Sequence, residues 1–563
     1  MYSIPAHLSR AMSLPAFDTQ GTLFGSLASV GGALFTEGDR FKLFAEKIWP
    51  HLAAARPALA ECYRADNGRP ALEPVVMLGV AIFQFLERTP DRQTAELVKY
   101  HLGWKLALNL EIGARSFHPT SLVEFRRRLL KHDKARLAFE VVLEALQEEG
   151  LVPRKGRQRL DSTHVLGLVS SMSKLESIRE TVRLALVELS ERLPEQRPDF
   201  WALFWERYVE HKLDYRSTDV VFKEKHQQAG ADALQLLRGL EALPVAIREG
   251  KQVRLLREVF GQYYVVSEQE VTPVKEHAAG VVQNPHDPEA TWCTKGKAKA
   301  KKDWIGYKVQ VAESLGPPRG QKSEPTRNFL TSVVTQAATE SDDAGMKATL
   351  EAQAQMGLKE PTEFLVDAGY ISAEAIVEAQ AQGRELVGPA RPSPHAASGT
   401  GTEAFDVCVE ERRAICPAGH QNTQCSRLEE KASGKVSYRF EWSTHCHDCV
   451  LREKCVGKGQ THRTLVVGEH HTALQTRRNE QKTAEFARRM QDRNGIEGTQ
   501  SEMVRAHGLR KARYRGKIKE NLQNQLIGAA CNIKRWLQLL AWEWRVAASA
   551  AASSLGPQTA SVS

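Results

Sequence analysis

Apolar residues recur every third or fourth position through Val75, Leu78, Ile82, Phe85 and Leu86, and again through Leu122, Phe125, Leu129 and Leu130. This period predicts amphipathic helices, so residues 40–150 read as a helical domain behind a lead-in of residues 1–39. Ser121 and Glu124 stand at the spacing of a capping box before a helix that then carries Arg126, Arg127 and Arg128, which fits either a helix-turn-helix or a plain bundle with a basic outer face. A second helical block, dense in Leu, Glu and Arg, reads as an insertion over about 174–290. Within 300–390 the period changes. Ile305, Tyr307, Val309 and Val311 alternate with polar or small residues, and 329–335, 364–367 and 386–389 are short apolar runs, with Ser372–Gln382 helical between the last two. Strand, strand, strand, helix, strand describes an α/β sheet. After a Pro, Ser and Gly-rich linker from Ala390 to Thr402, residues 472–507 predict a long helix capped by Gly508, and Leu522, Leu526, Ala530, Ile533 and Leu537 mark another. The Ala and Ser-rich tail, 547–563, has too little to bury and is expected to be disordered.

With 563 residues the chain should divide into about three or four folding units. Its 42% hydrophobic and 26% charged residues are those of a soluble globular protein, and no run approaches the roughly 20 apolar residues of a membrane span. The net charge of +9 gains meaning from clustering. Seven Lys or Arg and no acid fall between Arg505 and Lys519. Lys295, Lys297, Lys299, Lys301 and Lys302 form a second cluster, and Arg154, Lys155, Arg157 and Arg159 a third. Three such patches favour nucleic acid as partner over a bland basic surface.

Six of the nine cysteines lie within 48 residues. Cys446-His-Asp-Cys449 followed by Cys455, with Cys416-Pro-Ala-Gly-His420 upstream, has the spacing of zinc knuckles. A structural Zn²⁺ site on Cys416, Cys446, Cys449 and Cys455 is expected, with Cys425 and His420 as substitutes, and it would give this strand-poor segment (about 390–470) folding energy. Disulfides and reduced buried thiols are the alternatives.

Asp161 sits at a predicted strand start, Asp367 closes the buried run Phe364-Leu-Val-Asp367, and Glu497 lies within a late helix. Singly, such acids are more often turn formers or caps. Together they match what two hard divalent cations need, which is a few oxygen ligands brought from separate elements to one rim of a sheet.

Residues 63–87, Glu124-Phe-Arg-Arg-Arg-Leu129, Leu160-Asp-Ser-Thr-His-Val165, Phe364–Ser372, the Cys-rich knuckles and Arg493–Gly516 together resemble the bacterial insertion-sequence transposases of the DDE type, over about 60–540. The resemblance implies an α/β RNase H-like catalytic core, a mixed sheet with flanking helices over 155–546, joined to an all-α N-terminal DNA-binding domain and a Cys-rich insertion. It implies Asp161, Asp367 and Glu497 as the catalytic acids holding two Mg²⁺ (or Mn²⁺) ions. It also implies cut-and-paste strand cleavage and transfer on double-stranded DNA, the terminal inverted repeats and the target, by a homodimer on the bacterial nucleoid in the cytoplasm. Arg493 matches the family's signature arginine, whereas Met490 and Val504 stand where that signature has Tyr and Lys, with Arg505 one residue on. Arg126, Arg127, Arg128, Arg493, Arg505, Arg510, Lys511, Arg513 and Arg515 are the expected DNA contacts, with Tyr514 as a stacking surface. Glu502 and Glu520 are the acids that would displace Glu497 if they met the aspartates instead. A repurposed DNA-binding protein without activity and a nuclease that cuts without joining are the competing readings.

Overall fold

The computed structural model describes residues 34–64, 71–169, 172–193, 197, 199–211, 219–267, 270–275, 279–295, 302–393, 396–431 and 434–554. Most of the lead-in and Lys297, Lys299 and Lys301 of the second basic cluster lie outside them.

The N-terminal helices follow the apolar period. Helix α1 (Pro74–Leu86) opens with Glu73 accepting from the Val75 N–H and with proline at its first position, and it buries Val75 and all of Met77–Phe85. Helix α2 (Thr120–Lys131) corrects the capping expectation: it starts behind Pro119 without a side-chain cap, Ser121 falls inside the first turn, and Glu124 pairs with Arg127 at 2.7 Å. Helix α3 (Leu137–Glu148) follows.

Strand β1 (Arg157–Leu166) is longer than its sequence announces. Its buried Gln158 is satisfied internally: Thr331 and Gln353 both donate to it, at 2.8 and 2.6 Å. Asp161 therefore lies mid-strand, not at a strand start. The insertion comprises helices α4 (Lys174–Arg192), α5 (Asp219–Gly239) and α6 (Lys251–Tyr263) with the hairpin β2 (Tyr264–Ser267) and β3 (Glu270–Pro273). It has its own apolar core, running from Leu175 to Val282.

The main sheet continues with β4 (Thr291–Lys295), β5 (Lys302–Ser314) and β6 (Leu330–Ala337), then helix α7 (Asp342–Gln355), β7 (Glu363–Leu365), helix α8 (Ala373–Ala381) and β8 (Glu385–Val387). Strand order is β4-β5-β1-β7-β8, with β6 also on β5. β5 pairs antiparallel with both β1 and β6, whereas β7 and β8 run parallel to β1. Helix α7 was not foreseen; its Ala and Gln-rich sequence shows little apolar period, and Ser341 caps it by accepting from the Ala344 N–H.

The Cys-rich segment is not strand-poor. β9 (Asp406–Cys408) pairs β10 (Arg413–Ile415), and β11 (Gln424–Glu429), β12 (Val436–Glu441) and β13 (Thr464–Gly468) form a second small sheet around Phe440, Trp442 and Leu465. The predicted helix 472–507 is two: α9 (His471–Glu480) and α10 (Ala484–His507), where Thr483 caps the second by accepting from Phe486 N–H at 3.2 Å and Gly508 ends it at φ +82°. Helix α11 (Lys517–Ser554) continues into the tail expected to be disordered, because alanine is the strongest helix former; residues 555–563 are not described. One apolar core joins α1 and α3 to Val309 and Val333 of the sheet and Leu526 and Ile533 of α11, so the N-terminal helices and the sheet do not fold as separate bodies.

Among the described residues, no helix is long and apolar enough to cross a membrane.

Candidate active site

Alternation along β1 puts Arg159, Asp161 and Val165 on the face that α10 crosses, and Leu160 and Ser162 on the other. Parallel pairing of Arg159 with Leu365 then carries the register forward, bringing Asp367, two residues past the end of β7, level with Asp161. Asp367 is held by a turn in which the Gly369 N–H donates to its Oδ1 at 2.6 Å.

Arg493 of α10 gathers the acids. Its Nη2 lies 2.8 Å from Asp161 Oδ2 and 3.8 Å from Asp367 Oδ2, and its Nη1 3.7 Å from Glu497 Oε1, one helical turn on. The Asp161 side chain is 12% exposed, that of Asp367 43% and that of Glu497 71%, so the site opens outward from a rigid floor on β1 to a helix surface. All the donors are hard oxygens of opposite charge to a divalent cation, a set that fits Mg²⁺ or Mn²⁺. Their oxygens do not close to within 4.8 Å of one another; the guanidinium stands among them.

A fourth carboxylate, missed in the sequence, borders the site. A Cβ at Gly369 would sit 2.7 Å from Asp342 Oδ2 and 2.8 Å from Asp367 Oδ1, so the two acids flank this glycine. Asp342 pairs with Lys308 at 3.1 Å and accepts from Ser162 Oγ at 3.4 Å. The helix cap Ser341-Asp342 was its only sequence signal. Tyr370 donates to Gln310 at 2.6 Å; burial, then the charges of Asp342, Asp161 and Asp367, hold its hydroxyl protonated far above the ordinary range.

Neither rival acid reaches the site. Glu502 is bound by Lys534 and Arg535, each at 2.9 Å; burial raises its pKa, but these two cations keep it below the usual carboxylate range. Glu520 is fully buried, and burial pushes its pKa far up. Glu502, His507 and Cys531 do come within 4.8 Å of one another, but the charge of Glu502 is already met and burial pushes His507 down to about 4.

Below Asp161 on the same face, Arg159 bonds Glu313 at 2.9 Å and donates to the Asp492 carbonyl at 2.6 Å, close against α10 where it carries Gly495. A Cβ at Gly495 would stand 2.1 Å from Arg159 Nη1, whereas one at Gly498 would meet nothing within 4 Å. Gly495→Ala is therefore expected to destabilise the chain by about 1–3 kcal/mol through overpacking. Gly498→Ala should stabilise it by about 0.5–1 kcal/mol, the helix-propensity difference. Urea unfolding of the pair checks this, and equal effects would show that the approach of Arg159 does not select glycine.

The nine expected DNA contacts separate into two groups. Arg126 is buried and bound to Asp91 at 2.6 Å, so it presents no free face to DNA, and it covers one face of the half-buried Tyr514 ring. Arg493 faces the acids, Arg510 donates to the His164 carbonyl at 2.7 Å, and Arg513 donates to the Thr89 carbonyl at 3.0 Å above the Phe85 ring. Arg128 lies half-buried over Tyr63. Arg127, Arg505, Lys511 and Arg515 are exposed. The arginines that turn inward do so because partners distant in sequence claim them.

Cys416, Cys446, Cys449 and Cys455 line one cavity of about 20 Å³ with His420, His445 and Trp442, room for about one water-sized body. All four thiols are free, and Cys446 accepts from the Arg463 N–H at 3.4 Å. No three of these thiols and imidazoles lie within 4.8 Å of one another. Cys425 lies on β11 and does not line the cavity, and His420 stacks on His445 at 4.8 Å.

Two family models match the chain. A transposase domain of the DUF772 type covers residues 32–128, which include α1 and most of α2. A transposase DDE domain covers residues 415–537, which include the Cys cavity, Arg493 and Glu497. Asp161 and Asp367 lie outside both spans. No curated protein matches the chain.

Proposed function

We propose, from the premise that this chain is an insertion-sequence DDE transposase, as its two domain matches show, that it binds the ends of its own element and catalyses strand cleavage and strand transfer in cut-and-paste transposition. The observation that carries this reading is the meeting of Asp161, Asp367 and Glu497 about one guanidinium. The sheet supports it as an RNase H-like core, since three antiparallel strands, β6, β5 and β1, continue into the parallel pair β7 and β8, and the acids sit where β7 ends beside β1.

Asp161, Asp367 and Glu497 would hold two Mg²⁺ or Mn²⁺ ions. Divalent ions at such a site lower the pKa of an attacking water or 3′-hydroxyl and stabilise the leaving oxygen of a phosphodiester. The chain's own contribution is placement. β1 fixes Asp161, the turn at Gly369 fixes Asp367, and Glu497 on its exposed helix face adjusts to the metal and the DNA. Arg505, Lys511 and Arg515 are exposed and placed to meet backbone phosphates, and Arg127, exposed but paired with Glu124, would exchange that partner for one; such contacts set register without reading sequence. Joining two ends calls for at least two copies of the chain, acting on the bacterial nucleoid.

The test uses the full chain, DNA carrying the flanking element ends, and Mg²⁺ or Mn²⁺. Cleaved 3′-hydroxyl ends and their joined products are expected. Binding without cleavage in either metal would instead identify a repurposed DNA-binding protein, and cleavage without joining a nuclease.

We also assign the Cys416, Cys446, Cys449 and Cys455 cavity to a structural Zn²⁺, a set of soft ligands suited to that ion and unsuited to Mg²⁺. The purified chain is expected to carry about one zinc per molecule, lost in Cys446→Ser together with thermal stability. Elemental analysis decides this, and zinc-free protein of full stability would refute it.

A further inference from the structure

The position of Arg493 is unusual for a residue expected to grip DNA. Its side chain is 10% exposed and lies within 4 Å of three carboxylates that come from β1, the turn after β7, and its own helix. Any cation shared by those carboxylates must sit where this guanidinium sits. Its Nε is buried with no hydrogen-bond partner among the described residues, so the group is held by charge more than by a closed hydrogen-bond shell.

We infer that Arg493 is an exchangeable counter-ion: it holds the three acids together before metal uptake, and divalent cation binding displaces it from among them. This rests on the reading of Asp161, Asp367 and Glu497 as the metal site. Three carboxylates brought together without a cation repel one another, and a single guanidinium with two terminal nitrogens reaches all three. A divalent ion competes for the same oxygens with twice the charge. Displacement turns the guanidinium out of the acid cluster at the rim where a phosphodiester would have to lie, so metal uptake and readiness for an anionic substrate become linked. Lys308 does not substitute for it, because its ammonium is engaged with Asp342 at 3.1 Å and the Glu340 carbonyl.

Arg493 is in this sense a positioning residue, and its test reads metal affinity rather than turnover. Mn²⁺ binding is measured by titration calorimetry on the full chain without DNA, alongside thermal unfolding with and without Mn²⁺. Arg493→Gln is expected to unfold at a lower temperature without metal, yet to bind Mn²⁺ about tenfold or more tightly, since a competing unit charge within about 4 Å has gone. Arg493→Lys, which keeps the charge with shorter reach, should fall between Arg493→Gln and wild type, and it serves alone if the glutamine variant does not fold. Unchanged or weaker Mn²⁺ binding in these variants overturns the inference, because an arginine that only braces the acids would weaken metal binding when removed. If wild type binds no Mn²⁺, or Asp161→Asn binds it as well as wild type, the site assignment itself fails, a result distinct from failure of the exchange.

Discussion

Asp161→Asn is expected to abolish strand cleavage and joining while leaving the chain folded. The substitution keeps the shape of the side chain and an oxygen able to accept from the Ser162 N–H, now bonded to Asp161 Oδ1 at 2.7 Å. It removes one negative charge from the most buried of the three acids, the one bonded most closely by Arg493. A rigid carboxylate acts on the developing charge of the reaction through whatever cation it holds, and loss of one such preorganised electrostatic group costs on the order of 10²–10³ in rate. Because the same group would also be a metal ligand, the lower end of that range is the floor expected here. The measurement is cleavage of element-end DNA in Mg²⁺ by the variant and wild type at equal concentration, with far-ultraviolet circular dichroism to show that the fold persists. Cleavage within tenfold of wild type would remove Asp161 from the site. Glu497→Gln provides the contrast. It lies on an exposed helix face, so it should lose activity with almost no change in stability.

The parts of this site that were visible in the sequence are those whose local pattern agrees with their environment. Phe364-Leu-Val-Asp367 reads as a buried run ending in an acid because both statements are local, and the helix carrying Arg493 and Glu497 has an ordinary cap and end. Strand β1 was only half legible. Gln158, Arg159 and Thr163 look like surface residues, yet all three are buried. Gln158 and Arg159 are satisfied by Thr331, Gln353 and Glu313, which stand more than 150 positions away. The same blindness applies to the basic track, where the sequence shows charge but not whether a distant carboxylate such as Asp91 has claimed it. Asp342 stayed hidden for a different reason: a helix of alanine and glutamine carries no apolar period by which to recognise it. In the Cys-rich segment the strands are three to six residues long and largely half-exposed, too short for alternation to stand out.

The strongest effect on stability is expected at Glu313, which stands opposite Arg159 on β5, two residues along from Val311 opposite Asp161. Its side chain is 1% exposed and is bonded by Arg159 at 2.9 Å, by Arg535 at 3.3 Å and by the Thr499 hydroxyl at 2.5 Å. Arg159 and Arg535 are themselves 7% and 3% exposed, so removing Glu313 would strand two guanidiniums in the interior, Arg535 keeping Glu502 and Arg159 keeping the Asp492 carbonyl. Removing one partner of a buried ion pair costs about 3–5 kcal/mol, most of it the desolvation of the charge left behind. Glu313→Ala should therefore lose about that much in urea unfolding. Glu313→Leu combined with Arg159→Met and Arg535→Met should recover most of the loss, because the stranded charges leave together and apolar volume replaces them. A loss below about 1 kcal/mol for Glu313→Ala would show that water reaches these arginines and that the network is not buried in solution. The cluster also fastens β1 to α10 immediately beside the proposed catalytic acids: Arg159 ties to the Asp492 carbonyl, one residue before Arg493. The triple variant therefore separates two roles of the network. If it regains stability but not cleavage, the ion pairs hold Arg493 and Glu497 in register with Asp161; if it regains both, close packing of β1 against α10 suffices.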